Sequence, residues 1–293
     1  MRRINPIHGL TLLFLIGLIL LVLFFRDQIP LWRSLLWRYA LAAGVLLVLK
    51  WCSDREVMGR VGKLIIDFSP IFYIILIYQS LGDLIQYLHP DIDPQLIRLD
   101  FLLFGVHPTV WLERWIVPWL TGVLSVAYLS YFFLPAGLVH TLYLKNPRRD
   151  FDLAVFVLVL GWYLSFLGYL LFPAIGPRYT LAHLQSVPLN SGFIADSVSH
   201  LIDLVEHNQR DCMPSGHTAI ALIALFLSYR YARRLFYLFC PIVGALILST
   251  VYLRYHYVID LFAGAALAAG CSLIGPRLYR GLKAGSGQEK REA

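Results

Sequence analysis

Eight runs of apolar residues, each close to bilayer-crossing length, set the outer limits on this chain. They fall near 9–25, 34–50, 65–88, 117–143, 152–172, 214–229, 235–253 and 257–275. About 20 mostly apolar residues suffice for a helix to cross a hydrocarbon core. Backbone groups in lipid must be satisfied within the segment, so such runs become helices. Composition agrees: 58% of residues are hydrophobic and 15% charged, where soluble domains carry about 25% charge. The expected fold is an all-α integral membrane protein of about eight transmembrane helices, with interfacial helices added. The apolar run after Met1-Arg2-Arg3 ends at Phe24-Phe25-Arg26 with no small-residue cleavage site, so it reads as a retained first span.

The net charge of +7 lies in short loops. Arg2 and Arg3 precede the first run; Arg55, Arg60 and Lys63 follow the second; Lys145, Arg148 and Arg149 follow the fourth. Arg230, Arg233 and Arg234 follow the sixth, and Arg277, Arg280 and Lys283 the last. With an even number of spans all five clusters share one side, which the positive-inside rule makes cytoplasmic. These charges therefore read as topology signals, and no nucleic-acid surface is expected. No Asn-x-Ser/Thr sequon occurs, which points to a bacterial inner membrane with the opposite loops in the periplasm.

Those opposite loops hold the chemistry. Cys212-Met213-Pro214-Ser215-Gly216-His217-Thr218 opens one apolar run, and Tyr252-Leu253-Arg254-Tyr255-His256-Tyr257-Val258-Ile259-Asp260 closes the next. A hairpin of two helices brings His217 back to His256. Asp260, four residues after His256, shares its helix face and can accept one imidazole N–H, leaving the other nitrogen as nucleophile. A histidine alone is more often a satisfied core residue; the carboxylate shifts that balance. Pro214-Ser215-Gly216 reads as a helix start, with Ser215 capping and the Gly216 amide open to phosphate, the alternative being a capped helix with an incidental histidine. His217 can protonate a leaving oxygen. Phe172-Pro173-Ala174-Ile175-Gly176-Pro177 ends a span and sets Arg178 in a polar loop, where its guanidinium suits phosphate or a lipid headgroup. Arg254 is a second candidate cation, or a headgroup anchor.

Around these residues the chain resembles the type 2 phosphatidic acid phosphatase superfamily. The frame Ser249–Asp260, with Leu102-Leu103-Phe104-Gly105 and Phe172-Pro173, is closest to its inositol phosphorylceramide synthase branch; the likeness covers about 99–270. The resemblance implies a six-helix catalytic core over 65–276, preceded by two additional helices over 1–64 and followed by a polar cytoplasmic tail over 277–293. It implies that His256 attacks phosphorus to form a phosphohistidine, that Asp260 orients it, and that His217 protonates the leaving alkoxide. Arg178, Ser215 and Gly216 would hold the phosphate, with no cofactor or metal. Two departures matter. Leu171 stands where the phosphatase pattern has a lysine, and Thr250 where it has an arginine. With fewer cations a diester suits the site better than a dianionic monoester, so head-group transfer to a lipid alcohol is expected. A lipid phosphate phosphatase using water, with Arg254 replacing a cation, is the alternative; a non-catalytic lipid transporter is another. The partners expected are lipids of the bilayer; the sequence is silent on oligomeric state.

Further expectations concern the remaining segments. Segment 89–116 mixes tryptophans with Arg98, Asp100, Glu113 and Arg114, and reads either as interfacial helices roofing a lipid entrance or as a loop packed on the protein. A short amphipathic helix is expected near 197–207. Cys52, Cys240 and Cys271 read as buried apolar residues, and Arg38, Lys50 and Asp67 as snorkelling charges. Asp83 lines a cavity or caps a helix end.

Overall fold

A computed structural model describes residues 5–55, 59–145, 147–189, 197–198, 200–201 and 208–285. Arg2, Arg3, most of the helix expected near 197–207 and the tail beyond Gly285 lie outside these residues.

Every regular element among the described residues is helical. The long helices are α1 (Pro6–Phe24), α2 (Trp32–Asp54), α3 (Arg60–Leu81), α6 (Pro118–Lys145), α7 (Arg148–Leu171), α9 (Gly216–Tyr231), α10 (Arg233–Tyr252) and α11 (Val258–Gly285). Short helices α4 (Asp93–Phe104), α5 (Pro108–Trp111) and α8 (Pro177–Thr180) lie between them. Seven of the long helices are long and apolar enough to cross a bilayer. The eighth expected span is α9, whose 16 residues rise about 24 Å. It starts at Gly216 because Ser215 caps it, the hydroxyl accepting the Thr218 N–H at 3.2 Å. Local chemistry fixes α1 too: Asn5 accepts the Ile7 N–H at 3.0 Å and Pro6 takes the first turn, where its missing N–H costs nothing.

Helix α7 is the hub. It is buried nearly all round, as a helix surrounded by other helices must be, and it packs against α1, α3, α6, α9 and α11. Its partners bury one stripe and expose apolar residues on the other side, the pattern of helices facing lipid. Loops carrying Arg178, Cys212 and His256 meet at one end, and the basic links between α2 and α3, α6 and α7, and α9 and α10 lie at the other ends of the same helices.

Some expectations need correction. Cys240 is exposed and Cys52 only half-buried, so neither is a core residue. Asp67 does not snorkel: it is 8% exposed and paired with Arg148. Asp83 pairs with Arg38 at 3.0 Å near the surface. Helix α11 runs on through Gly285, beyond the expected start of the tail. The last residues of the third expected span form a turn and a 3-10 helix, Ile85–Tyr87, rather than a continuous helix.

Segment 89–116 has two unlike faces. Leu102, Leu103 and Phe104 point outward at 69%, 57% and 44% exposure, as a helix in the headgroup zone would. Its acids point inward. The Asp100 carboxylate accepts the N–H groups of Val258 and Ile259, both at 2.9 Å, at the start of α11. Asp93 accepts those of Ile175 and Gly176, both at 2.9 Å, and the Tyr257 hydroxyl at 2.8 Å. The segment thus clamps both loops that carry the site.

Candidate active site

The turn from α10 into α11 aims His256. Tyr255 and His256 both donate their N–H to the Thr250 carbonyl, at 2.9 and 3.0 Å. His256 Nδ1 then lies 3.0 Å from the Cys212 carbonyl. A carbonyl only accepts, so Nδ1 carries the proton and Nε2 keeps its lone pair. Nε2 faces His217 Nδ1 at 3.4 Å, as the expected hairpin requires.

Asp260 sits near His256, but not as its closest acceptor. Its Oδ2 is 3.6 Å from Nδ1. The same oxygen accepts the Cys212 thiol at 2.8 Å and the Tyr257 N–H at 2.9 Å. Its Oδ1 is buried without a hydrogen bond among the described residues, so the negative charge is only partly satisfied until an imidazolium forms beside it. Orientation comes first from the Cys212 carbonyl; Asp260 supplies charge and ties two loops together. The Asp260 carbonyl in turn accepts the Ser215 N–H at 3.1 Å.

His217 is 7% exposed and held between the rings of Tyr128 and Tyr131, at 4.4 and 4.3 Å. Tyr128 stacks on Tyr255 at 4.6 Å, and the Arg178 guanidinium lies over Tyr255 at 5.4 Å. One aromatic column therefore sets the spacing between acid and cation. A polar cavity of about 50 Å³ opens here, bordered by Arg178, Asp211, His217, Tyr255 and His256. Arg178 is the one Lys or Arg on its wall among the described residues.

Three expected phosphate ligands are not brought to that cavity. Ser215 is fully buried as the α9 cap. Gly216 answers to packing: a Cβ there would collide with the Tyr169 hydroxyl. Arg254 points away. Its Nη2 donates to Glu113 Oε1 at 2.7 Å and to the Val187 carbonyl at 2.6 Å, and its Nη1 to Gln185 at 3.1 Å.

Cys212, His256 and Asp260 place potential metal-ligand atoms within 4.8 Å of one another. Protons fill that space. The thiol donates to Asp260 and the Nδ1 proton to a carbonyl, and burial beside Asp260 pushes the Cys212 thiol well above its ordinary pKa. A metal would need that thiol as thiolate.

Sequence reasoning missed Tyr128, Tyr255 and Asp211. Tyr255 lies inside the motif, and Asp211 directly precedes it, held by the Tyr78 hydroxyl at 2.6 Å. A carboxylate next to a glycine-histidine helix start was the available signal.

Comparison with known proteins points to one family. The profile of the PAP2 superfamily matches residues 94–274. A PA-phosphatase related-family protein of Dictyostelium discoideum is 27% identical over 177 residues, 53% of this chain and 32% of that protein. The chain thus spans about a third of that relative's length. No solved structure matches.

Proposed function

The chain belongs to the PAP2 superfamily, and from that premise we propose that it is a membrane lipid phosphotransferase. It moves a phospho-head group from a donor lipid to a lipid alcohol, such as a ceramide or diacylglycerol, through a phosphohistidine. In the first step His256 Nε2 attacks phosphorus, the bond to the leaving oxygen breaks, and His217 gives that oxygen a proton. The 3.4 Å between the rings spans a hydrogen bond, not a phosphoryl group, so the rings part as substrate enters. Asp260 and the Cys212 carbonyl stabilise the charged imidazole. In the second step the acceptor hydroxyl attacks phosphorus, its proton passes to His217, and the P–N bond breaks.

One observation carries transfer over hydrolysis: Arg254 is spent on Glu113. Leu171 and Thr250 already replace two cations of the phosphatase pattern, and the remaining substitute faces a carboxylate instead of the cavity. Arg178 then meets substrate opposite the acidic Asp211, a balance suited to one negative charge rather than two. The second reading, phosphatidic acid or isoprenoid phosphate hydrolysis with water as acceptor, is favoured by the relative's phosphatase name. On the same reading the site faces the side opposite the basic loops, the periplasm of a bacterial inner membrane.

The test uses purified protein in mixed micelles of phosphatidylinositol, phosphatidic acid, ceramide and diacylglycerol, following free phosphate and new phospholipid together. Transfer predicts a new phospholipid that needs intact His256, lost in His256→Ala. Free phosphate alone overturns transfer for hydrolysis. A lipid transporter would yield neither product, nor an acid-labile 32P adduct.

A further inference from the structure

Two cavities share His217 and Asp211. The polar one lies toward the loops. The other, of about 310 Å³, runs back between α3 and α6 with α7 as its rear wall. Its walls are almost wholly hydrocarbon, including Phe68, Ile74, Pro135, Val139, Val155 and Leu158. Pro70 and Pro135 face it from inside α3 and α6, and each removes one rung of its helix ladder beside the slot.

The two ends differ in chemistry. At the catalytic end polar groups gather: Tyr78 donates to Asp211 at 2.6 Å, and Trp162 Nε1 to the Tyr131 hydroxyl at 2.8 Å. At the far end Asp67 closes the slot, paired with Arg148, which also holds Asp152 at 2.9 Å. Asp67 and Gln79 mark these ends on α3, about 18 Å apart at 1.5 Å per residue, the length of an extended chain of about 14 carbons. About 310 Å³ is room for one such chain.

We infer that this slot seats a single hydrocarbon chain of the phosphorylated lipid, its methyl end against the Asp67–Arg148 pair and its polar end at Tyr78, Asp211 and His217. The inference rests on the reading that the substrate is a lipid phosphate ester. Any second chain stays in the bilayer, beyond the exposed Ile71 and Ile75 of α3. The ion pair, its Asp67 carboxylate buried and Arg148 half-exposed, sets a length limit. A methylene that fits gains packing contacts denser than fluid lipid tails offer, and one that does not must displace a paired charge.

The probe is a lysophosphatidate, one chain on one phosphate, with a diazirine near the methyl end of a 14-carbon chain. After illumination in mixed micelles, adducts localised to the residue are expected on Phe68, Val139 or Val155. Adducts confined to the outward-facing Phe72 and Phe133 would overturn the inference. A second measurement uses binding alone, with unlabelled lysophosphatidates of 8 to 18 carbons competing for the photoprobe. Competition should strengthen with each added carbon, then level off near 14 carbons. Val139→Trp, which fills the slot toward its closed end, should move that break to shorter chains. A break that does not exist, or that stays put in a folded variant, defeats the slot. Should Val139→Trp fail to fold, the wild-type adduct map decides. Failure to turn over any lipid phosphate would defeat the proposed reaction, while adducts and break would still judge the slot.

Discussion

Arg254 has a backbone conformation usually left to glycine. Its φ is +67°, the left-handed region in which helices commonly end and a side chain costs about 1 kcal/mol. Here it ends α10 with its guanidinium buried against Glu113, the two side chains 7% and 8% exposed. If Arg254 is a brace, Glu113→Gln alone strands a buried charge and costs about 3–5 kcal/mol. The double change Arg254→Gly with Glu113→Gln relieves both the charge and the backbone, and should recover most of the thermal stability and most of the activity. A stable but inactive double variant would instead make Arg254 a phosphate ligand. Arg178→Ala should lower kcat/KM by about 100-fold or more without lowering Tm, since the guanidinium faces the cavity. Cys212 separates structure from chemistry in another way. Its thiol is held well above its usual pKa, so it stays protonated up to pH 9 and donates to Asp260. Cys212→Ser keeps a donor and should keep the wild-type pH–rate profile over pH 6–9; an alkaline limb present only in the wild type would mean that the thiol titrates.

Element by element, the catalytic hairpin was legible because its signal is local. Two apolar runs of matched length joined by a basic turn leave their ends together, and His217 and His256 stand at those ends. The Cys212 carbonyl was not legible, since any residue offers one. Nor was Arg254's partner, 141 positions away in sequence. The inward acids of α4 did leave a trace. Asp93 and Asp100 are seven residues apart, two turns on one helix face, in a segment whose other face is leucine and phenylalanine. Charges on one stripe and large apolar residues on the other suggest an interfacial helix with its polar face toward water; the structure turns that face onto the site loops. The consequence is measurable. Asp100→Ala strips the acceptor from two amides at the start of α11, costing about 1–2 kcal/mol, and loosens the turn that aims His256. We expect kcat to fall about tenfold with little change in KM, and Asp100→Asn, which retains one acceptor oxygen, to recover part of the loss. Equal kcat in the Ala variant and wild type would reduce the clamp to a stability element.

For the molecule as a whole, the open matter is whether α1 and α2 are an addition to a self-sufficient core over 65–276. Their contacts argue for integration. Thr11 of α1 meets the Tyr163 hydroxyl at 3.0 Å, and Phe14 stacks on the Tyr163 ring at 4.6 Å. Tyr39 of α2 bonds Ser80 of α3 at 2.7 Å, both side chains buried. Tyr163 lies on α7, against which α1, α3, α6, α9 and α11 pack, and α3 and α7 are two walls of the apolar slot. Without the hairpin, the Tyr163 hydroxyl and Ser80 face lipid without these partners, a loss of about 1–2 kcal/mol for each bond in a membrane. The apolar contacts of α1 would be exchanged for lipid at little cost, because lipid tails are as apolar as leucine. A chain beginning at Gly59 should therefore still insert and fold, but with a lower unfolding temperature in detergent and a slot free to widen. In competition for the photoprobe, its preference for 14-carbon over 8-carbon lysophosphatidates should shrink. Thr11→Val, which removes one of the two bonds together with the hydroxyl's local bond to the Ile7 carbonyl, should produce a smaller shift in the same direction. If the shortened chain kept both the unfolding temperature and the chain-length preference of the full one, the hairpin would be a passenger and α7 would be held in place by the core alone.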